Sequence, residues 1–316
     1  MARVLVLGGT GWLGSETVAR LLQDGAEVTC LARGSSAVPE GARLVRADRS
    51  LPGAYRELTG DWDDVIDLVT EPALVASAVT ALGERAAHWS YVSSVSVYSD
   101  NATVGADERA AVLAPEGDGY GESKVASENI VRSALGDRAL IVRPGLIAGV
   151  GDPSDRVGYW PARLSVGGRV AVPTLARRWV QFIDVADLAD WLAGAGRAQR
   201  VGTIDAVGAV TAFSDFLAAV VAVTGFKGEL VEVDDARLVE QGVNHWAGPG
   251  SLPLWLPADH AGMLTRSGAA YRQGGGRLRP LRDSLADILA DERGRGVDRD
   301  RRSGLSLQAE ARLLEG

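Results

Sequence analysis

One cysteine, two methionines and three histidines in 316 residues remove several kinds of protein at the outset. Cys30 alone supports neither a disulfide framework nor a thiolate metal cluster, and its place in an apolar run marks it as a small buried side chain. The histidines stand at 88, 245 and 260, too far apart for a metal-ligand spacing, so no metal is expected. Positive charge is also scarce. Lys and Arg number 33 against 41 Asp and Glu, leaving a formal charge of −8, the wrong sign for a face that must displace counterions from nucleic acid. No apolar run reaches the length of a membrane span, and the first strand signal begins two residues after Met1, which leaves no room for a signal peptide. The expectation is a cytoplasmic protein with a small-molecule substrate and neither a nucleic-acid nor a membrane partner.

What is present is apolar residue, 46% of the chain, enough to build one large domain or a nucleotide domain with a smaller lobe. The most informative stretch is residues 3–14, Arg-Val-Leu-Val-Leu-Gly-Gly-Thr-Gly-Trp-Leu-Gly. Four β-prone apolar residues run into glycines at 8, 11 and 14 and then into a helix. Gly8 takes backbone angles closed to other residues, Gly11 lets the main chain approach a pyrophosphate, and Gly14 lets the helix pack on the strand. The helix N-terminus offers free N–H groups and a positive dipole end. Glycine triplets occur in many turns; following a strand, opening a helix and starting the chain, this one points to a dinucleotide, with Gly8, Thr10, Gly11, Trp12, Leu13 and Gly14 as its contacts.

After a helix over about 12–24, Gly25 leads to a second strand at 26–31 and closes a βαβ unit. NAD-selective sites commonly carry an acidic residue just past that strand. Here Ala32-Arg33-Gly34-Ser35-Ser36 stands instead, so that Arg33 and Ser35 either hold a 2′-phosphate or belong to a solvated loop. The phosphate reading makes NADP(H) the preferred cofactor over NAD(H). A third strand at 43–47 ends at Asp48, a short helix follows, and a fourth strand lies at 64–69. Pro72 opens a helix to about 86, rich in small residues, which either pairs two copies of the chain as a homodimer or is covered by its own chain. His88-Trp-Ser-Tyr-Val92 is a fifth strand. Strands alternating with helices over short connections indicate an α/β protein of Rossmann type, a doubly wound parallel sheet. Ligands bind such sheets beyond the carboxyl ends of the strands, which places Ser93 and Ser94 at the candidate site. On the next helix, about 119–135, Tyr120 and Lys124 are four apart and share a face. A lysine cation beside a tyrosine favours the phenolate, which would bring Tyr120 toward the working range of an acid–base catalyst.

Taken in order, Gly8-Gly-Thr-Gly11-Trp-Leu-Gly14, Asp48, Ser93-Ser94-Val-Ser-Val-Tyr98, Tyr120-Gly-Glu-Ser-Lys124, Val142-Arg-Pro-Gly145 and Gln181-Phe-Ile-Asp-Val-Ala-Asp187 resemble the short-chain dehydrogenase/reductases of extended or atypical type, which include the NAD-dependent epimerase/dehydratases. The resemblance covers most of the first 200 residues. It implies that Tyr120 is the proton donor or acceptor, that Lys124 lowers its pKa and bonds the nicotinamide ribose, and that Ser94 polarises the substrate oxygen. It also implies that Asp48 lies by the adenine, with Ser93 and Pro144 among the cofactor contacts.

Beyond the sixth strand at 138–142 the turn-rich Gly149-Val-Gly-Asp-Pro-Ser leads to a short helix bearing Tyr159 and Trp160. In similar proteins this region borders the substrate, so Tyr159 and Trp160, with Ser96, are candidate substrate contacts; aromatics also fill cores. The expected organisation is a cofactor domain over 1–150 plus about 180–206, a smaller C-terminal substrate lobe over 151–179 and about 207–293, and a solvated mixed-charge linker with a short helix over 294–316. Trp246, Pro249, Pro253, Trp255 and Pro257 suggest either an irregular cap on the pocket or packing between lobes.

Three functions compete. A reductase or dehydrogenase would move hydride between NADP(H) and a carbonyl, alcohol or imine carbon, with Ser94, Tyr120 and Lys124 as the catalytic set. A nucleotide-sugar epimerase or dehydratase fits less well: similar dehydratases carry an Asp-Glu pair where Val95 and Ser96 stand, and similar epimerases an Arg where Val180 stands, although Arg177 or Arg178 would substitute. A non-catalytic regulatory or RNA-associated relative would not need the intact Ser, Tyr and Lys set.

Overall fold

The computed structural model describes residues 1–34 and 36–315. From the N-terminus the chain runs β1 (Arg3–Leu7), α1 (Trp12–Gln23), β2 (Glu27–Ala32), β3 (Arg43–Arg46), β4 (Asp64–Asp67), α2 (Pro72–Leu82), β5 (Trp89–Val92), α3 (Tyr120–Leu135) and β6 (Ala139–Pro144). The next stretch holds β7 (Leu146–Ala148), α4 (Arg156–Val166), β8 (Arg169–Pro173), β9 (Trp179–Val180), β10 (Phe182–Asp184), α5 (Val185–Ala193) and β11 (Gly202–Ala206). It continues with β12 (Thr211–Ala212), α6 (Phe213–Thr224), β13 (Glu229–Val233), α7 (Asp235–Glu240), β14 (Asn244–Trp246), β15 (Ser251–Pro253), α8 (Ala269–Gln273), α9 (Leu281–Arg295) and α10 (Leu307–Glu315).

Seven parallel strands form the central sheet in the order β11-β6-β5-β4-β1-β2-β3. Every residue of β4, β5 and β6 is buried, as helices on both faces require. Chain order reverses direction between β1 and β4, and the crevice at their carboxyl ends is where such sheets bind ligands. The glycine turn between β1 and α1 opens into that crevice. A Cβ on Gly14 would stand 2.3 Å from the carbonyl oxygen of Gly8, whose own φ is +96°, so helix and turn meet only because no side chain intervenes. Beneath the turn Cys30 is fully buried, and burial pushes its thiol up to about 11, an inert packing residue.

Helix α2 buries Val75, Ala78, Val79 and Leu82, one face at helical spacing, among side chains of the sheet and of α3. That face is covered by its own chain. No helix joins β3 to β4; residues 49–57 pass through successive turns, Pro52 and Gly53 interrupting any helical run.

A second core gathers side chains from α4, β8, α6, β13, β15 and α9, with Trp160, Phe213, Phe216 and Trp255 at its centre. Residues 265–278 then return to the first lobe, Tyr271 of α8 packing with Val142 and Trp191. The stretch expected to be a solvated linker is largely exposed, but its arginines are tied to the buried carboxylates of Asp155 and Glu292. Helix α9 runs to Arg295 and buries Leu285, Ile288, Leu289 and Glu292. Glu292 accepts from Arg299 and Arg301, and Asp155 from Arg295 and Arg299. Leu313 of α10 joins the second core, and Glu310 accepts from Arg163 at 2.5 Å. The mixed charges of 294–304 read as solvent-facing because their partners lie up to 147 residues away.

Candidate active site

A cleft of about 500 Å³ lies at the carboxyl ends of β1, β4, β5 and β6. Of the residues singled out from sequence, Gly8, Gly11, Trp12, Leu13, Gly14, Ser93, Ser94, Ser96, Tyr120, Lys124 and Pro144 line it. Thr10, Arg33 and Asp48 lie outside it, and Ser35 falls outside the described residues. Tyr159 and Trp160 do not line this cleft: they are 2% and 0% exposed, packed edge to face inside the second core. Although they stand about one turn beyond the cleft-lining Arg156, their rings pack into the second core, where the Trp160 indole N–H donates to the Pro253 carbonyl.

Three local structures bring the catalytic candidates together. Ser94 follows β5 and caps a short 3₁₀ turn at Val95–Val97, its Oγ accepting from the Ser96 N–H at 3.1 Å. Tyr120 is the first residue of α3, more than half exposed to the cleft. Lys124 lies one turn on and is buried, its Nζ donating to the carbonyls of Val92 (2.8 Å) and Val69 (3.1 Å). An ammonium carries three donors, so one N–H of Lys124 has no partner among the described residues. Helix and serine turn can approach because residue 121 is glycine; a Cβ there would stand 2.3 Å from the Ser96 carbonyl oxygen.

The electrostatics differ from the sequence expectation. Although much of the ring is exposed, desolvation of its hydroxyl raises the Tyr120 phenol above its ordinary value, while the Ser94 hydroxyl and then the Arg156 guanidinium pull it back without reversing the shift. Lys124 approaches the same ring. Its ammonium sits 5.9 Å from the Tyr120 ring centre and is committed to the two carbonyls. Burial brings Lys124 itself down to about 8, partly offset by Asp67, Glu71 and Glu128. At neutral pH the site therefore holds a protonated tyrosine, a proton donor in waiting.

Behind the site runs a buried ionic network. Glu128, one turn beyond Lys124, accepts from Ser93 Oγ (2.5 Å), from Arg143 Nε and Nη2 (2.9 and 2.7 Å) and from Arg132 (2.8 Å). Arg143 also donates to the Tyr98 hydroxyl (2.9 Å), which donates to Asp205 (2.6 Å), itself paired with Arg266. Ser93, placed among the cofactor contacts by resemblance, thus spends its hydroxyl on holding α3 to the sheet.

At the far end of the sheet Arg33 is exposed, and Arg46, which pairs in register with Ala32, lays its side chain against Gly34. Two cations therefore flank the turn after β2. The sequence reading missed Arg46, because its closeness to Arg33 comes from strand pairing. The Asp48 carboxylate accepts from the Ser50 hydroxyl (2.6 Å) and N–H (2.9 Å), bonds that hold it below the usual carboxylate range, with Arg33 adding to the effect. Also missed were Asp152, Arg156 and Met263, which line the cleft together with Trp246, one of the residues expected either to cap the pocket or to pack between lobes.

A family model described as NAD dependent epimerase/dehydratase family matches residues 4–83 and 71–205. The chain is 34% identical over 189 residues to a 2'-dehydrokanamycin reductase of Streptomyces kanamyceticus, a match spanning 56% of this chain and 53% of that protein. It is 33% identical over 223 residues to a dTDP-6-deoxy-L-talose 4-dehydrogenase (NAD(P)(+)) of Kitasatospora kifunensis, spanning 60% and 68% respectively. The chain thus aligns with about half the length of the first relative and two thirds of the second. The Bordetella bronchiseptica enzyme WbmH in complex with NAD+ shares the fold, with a TM-score of 0.68 at 18% identity over 93% of this chain and 99% of that one.

Proposed function

Because the chain belongs to the NAD dependent epimerase/dehydratase family, we propose that it is an NADP(H)-dependent oxidoreductase that reduces the carbonyl or imine carbon of a small organic molecule, or runs the reverse oxidation. The observation that carries this reading is the convergence of Ser94, a protonated Tyr120 and a buried Lys124 on one cleft that also receives the glycine turn. The residues fit a dinucleotide: the Gly8–Gly14 turn leaves room that a Cβ would fill, and the helix behind it supplies free N–H groups. When bound, the nicotinamide supplies the hydride. The spare N–H of Lys124 is available to a ribose hydroxyl. Tyr120 gives its proton to the oxygen that becomes the alcohol, and Ser94 donates a hydrogen bond to that oxygen as charge builds on it.

The reading is favoured over epimerase or dehydratase chemistry by what the neighbouring positions hold. Val95 is buried and Ser96 is not an acid–base group at neutral pH, so no carboxylate pair stands beside Ser94. Val180 is buried in the second core. Arg178 does not take its place, because its guanidinium is spent on Asp235 and the carbonyls of Thr174 and Leu256. The deciding experiment is stoichiometry: with its substrate the enzyme should oxidise one NADPH per product formed. Many turnovers of a nucleotide sugar without net loss of NADPH would establish the rival chemistry.

NADP(H) selectivity is assigned to Arg33, with Arg46 beside it and no carboxylate in the turn after β2. Arg33→Ala is expected to weaken NADPH binding about 10- to 100-fold, the range of a charged hydrogen bond, and NADH binding less than about twofold. Equal losses for the two cofactors in fluorescence titrations would remove Arg33 from the phosphate site.

A further inference from the structure

The lining of the cleft includes a cation, Arg156, with no carboxylate in contact with it among the described residues. Arg156 is the first residue of α4. Its Nε donates to Ser154 Oγ at 3.1 Å, and Ser154 in turn donates to Asp152, so alternate residues of the loop fix the stem of the guanidinium. The Nη1 and Nη2 groups have no hydrogen-bond partner, and no carboxylate lies within 4 Å of the fork, among the described residues. Two buried arginines near the carboxyl end of the sheet are spent, by contrast: Arg143 on Glu128 and Tyr98, and Arg266 on Asp205 and the Asp107 carbonyl.

Trp246 supports the fork from its face, 5.0 Å from the guanidinium carbon to the ring centre. That tryptophan is held in an unusual backbone. Its φ is +67°, and the Ala247 N–H donates across it to the His245 carbonyl at 2.7 Å, a three-residue γ-turn. A bulky residue at positive φ is costly and persists where surrounding structure enforces it, commonly at ligand clamps. Here the neighbouring Trp246 N–H is tied to the Trp255 carbonyl at 2.9 Å, and the turn delivers the indole to the cleft.

Building on the oxidoreductase reading, we propose that Arg156, braced by Trp246, is the specificity-determining residue of the substrate site and that it takes the carboxylate of an acidic carbonyl compound. A planar guanidinium with both terminal nitrogens free matches a carboxylate bidentately. The charge count favours a monoanion over a phosphate ester, because Arg156 is one cation and the buried Asp152 carboxyl lies close enough to oppose a second negative charge. Its position favours the reacting end of the substrate over a distant pyrophosphate, since its field reaches the Tyr120 phenol. The remaining wall, Leu146, Trp246 and Met263, is apolar, which suits a carboxylate attached to an apolar body.

Calorimetric titration of the NADP+-loaded protein tests this without turnover. Benzoylformate is the acidic probe, benzoylformamide its neutral match and oxamate a smaller acid. Benzoylformate should bind at least tenfold more tightly than the amide. Arg156→Met should lose that preference by about 10- to 100-fold in affinity for the acid while changing the amide by less than about twofold, with Arg156→Lys falling between. Unchanged NADP+ affinity and melting temperature would show that the variants fold. Equal binding of acid and amide, an undiminished acid affinity in Arg156→Met, failure of both acids to bind, or tight binding of dTDP that depends on Arg156 would each overturn the proposal. Acid binding as expected, with no carbonyl compound able to oxidise NADPH, would instead defeat the oxidoreductase reading and leave the carboxylate site standing.

Discussion

Tyr120→Phe is expected to lower kcat by about a thousandfold, within the range attributed to a positioned general acid, while leaving NADPH affinity within about twofold of wild type. The substitution removes one oxygen. It leaves the ring in place at the start of α3, and because that ring is 53% exposed its loss of a hydroxyl should cost less than about 0.5 kcal/mol of stability. A drop in turnover therefore cannot be ascribed to unfolding. Lys124 does not allow so clean a dissection. It is 2% exposed and holds the carbonyls of Val92 and Val69, so truncating it would disturb the carboxyl end of β5 as well as the charge in the cleft. Steady-state kinetics and fluorescence titration of NADPH on the phenylalanine variant decide the matter. Wild-type kcat in that variant would remove Tyr120 from the chemistry while leaving the fold intact.

The first 200 residues were readable because their signals are local. Strand, glycine turn and helix at residues 3–23 follow one another, and Tyr120 and Lys124 share a helical face by spacing alone. Ser94 could be placed because it stands two residues past a strand whose carboxyl end had to face the crevice. What failed were inferences that needed a partner distant in sequence. A lowered Tyr120 phenol was argued from the spacing of Lys124 alone, yet burial raises it, the lysine also donates to two backbone carbonyls, and Arg156, 36 positions on, acts on the phenol as well. Arg156 and Trp246 meet across about 90 residues through a turn with positive φ, which no residue pattern announces. Helix α9 is a different case. Leu285, Ile288, Leu289 and Glu292 carry the helical spacing, but the charged residues around them conceal a face that Arg299 and Arg301 help to bury.

Glu128 offers the largest expected effect on stability. Glu128→Ala is predicted to lower the unfolding free energy by about 3–5 kcal/mol, because it strands the buried Arg143 guanidinium without its carboxylate. In a chain of this size that corresponds to roughly 5–8 °C in melting temperature. The network does more than pair two charges. Arg143 lies on β6, Ser93 follows β5 and Glu128 sits on α3, so one carboxylate ties together the elements that position Ser94, Tyr120 and Lys124. Burial pushes the Glu128 carboxyl up, but the hydrogen bonds and charge of Arg143, with Ser93 and Arg132, outweigh it and hold the group below the usual carboxylate range. A depressed folded-state pKa contributes stability that is present above the unfolded value, about 4.3, and is lost as pH falls through the folded value. The difference between wild type and Glu128→Ala should accordingly be full at pH 7 and shrink in acid below about pH 4. Replacing both partners, Glu128→Leu with Arg143→Met, should recover much of the loss, since a packed apolar pair needs no compensating charge. Urea unfolding at pH 7 and in acid measures all three. A single variant within about 1 kcal/mol of wild type at pH 7 would mean that water or a neighbouring carboxylate takes over Arg143, and that the active-site elements are held together by packing alone.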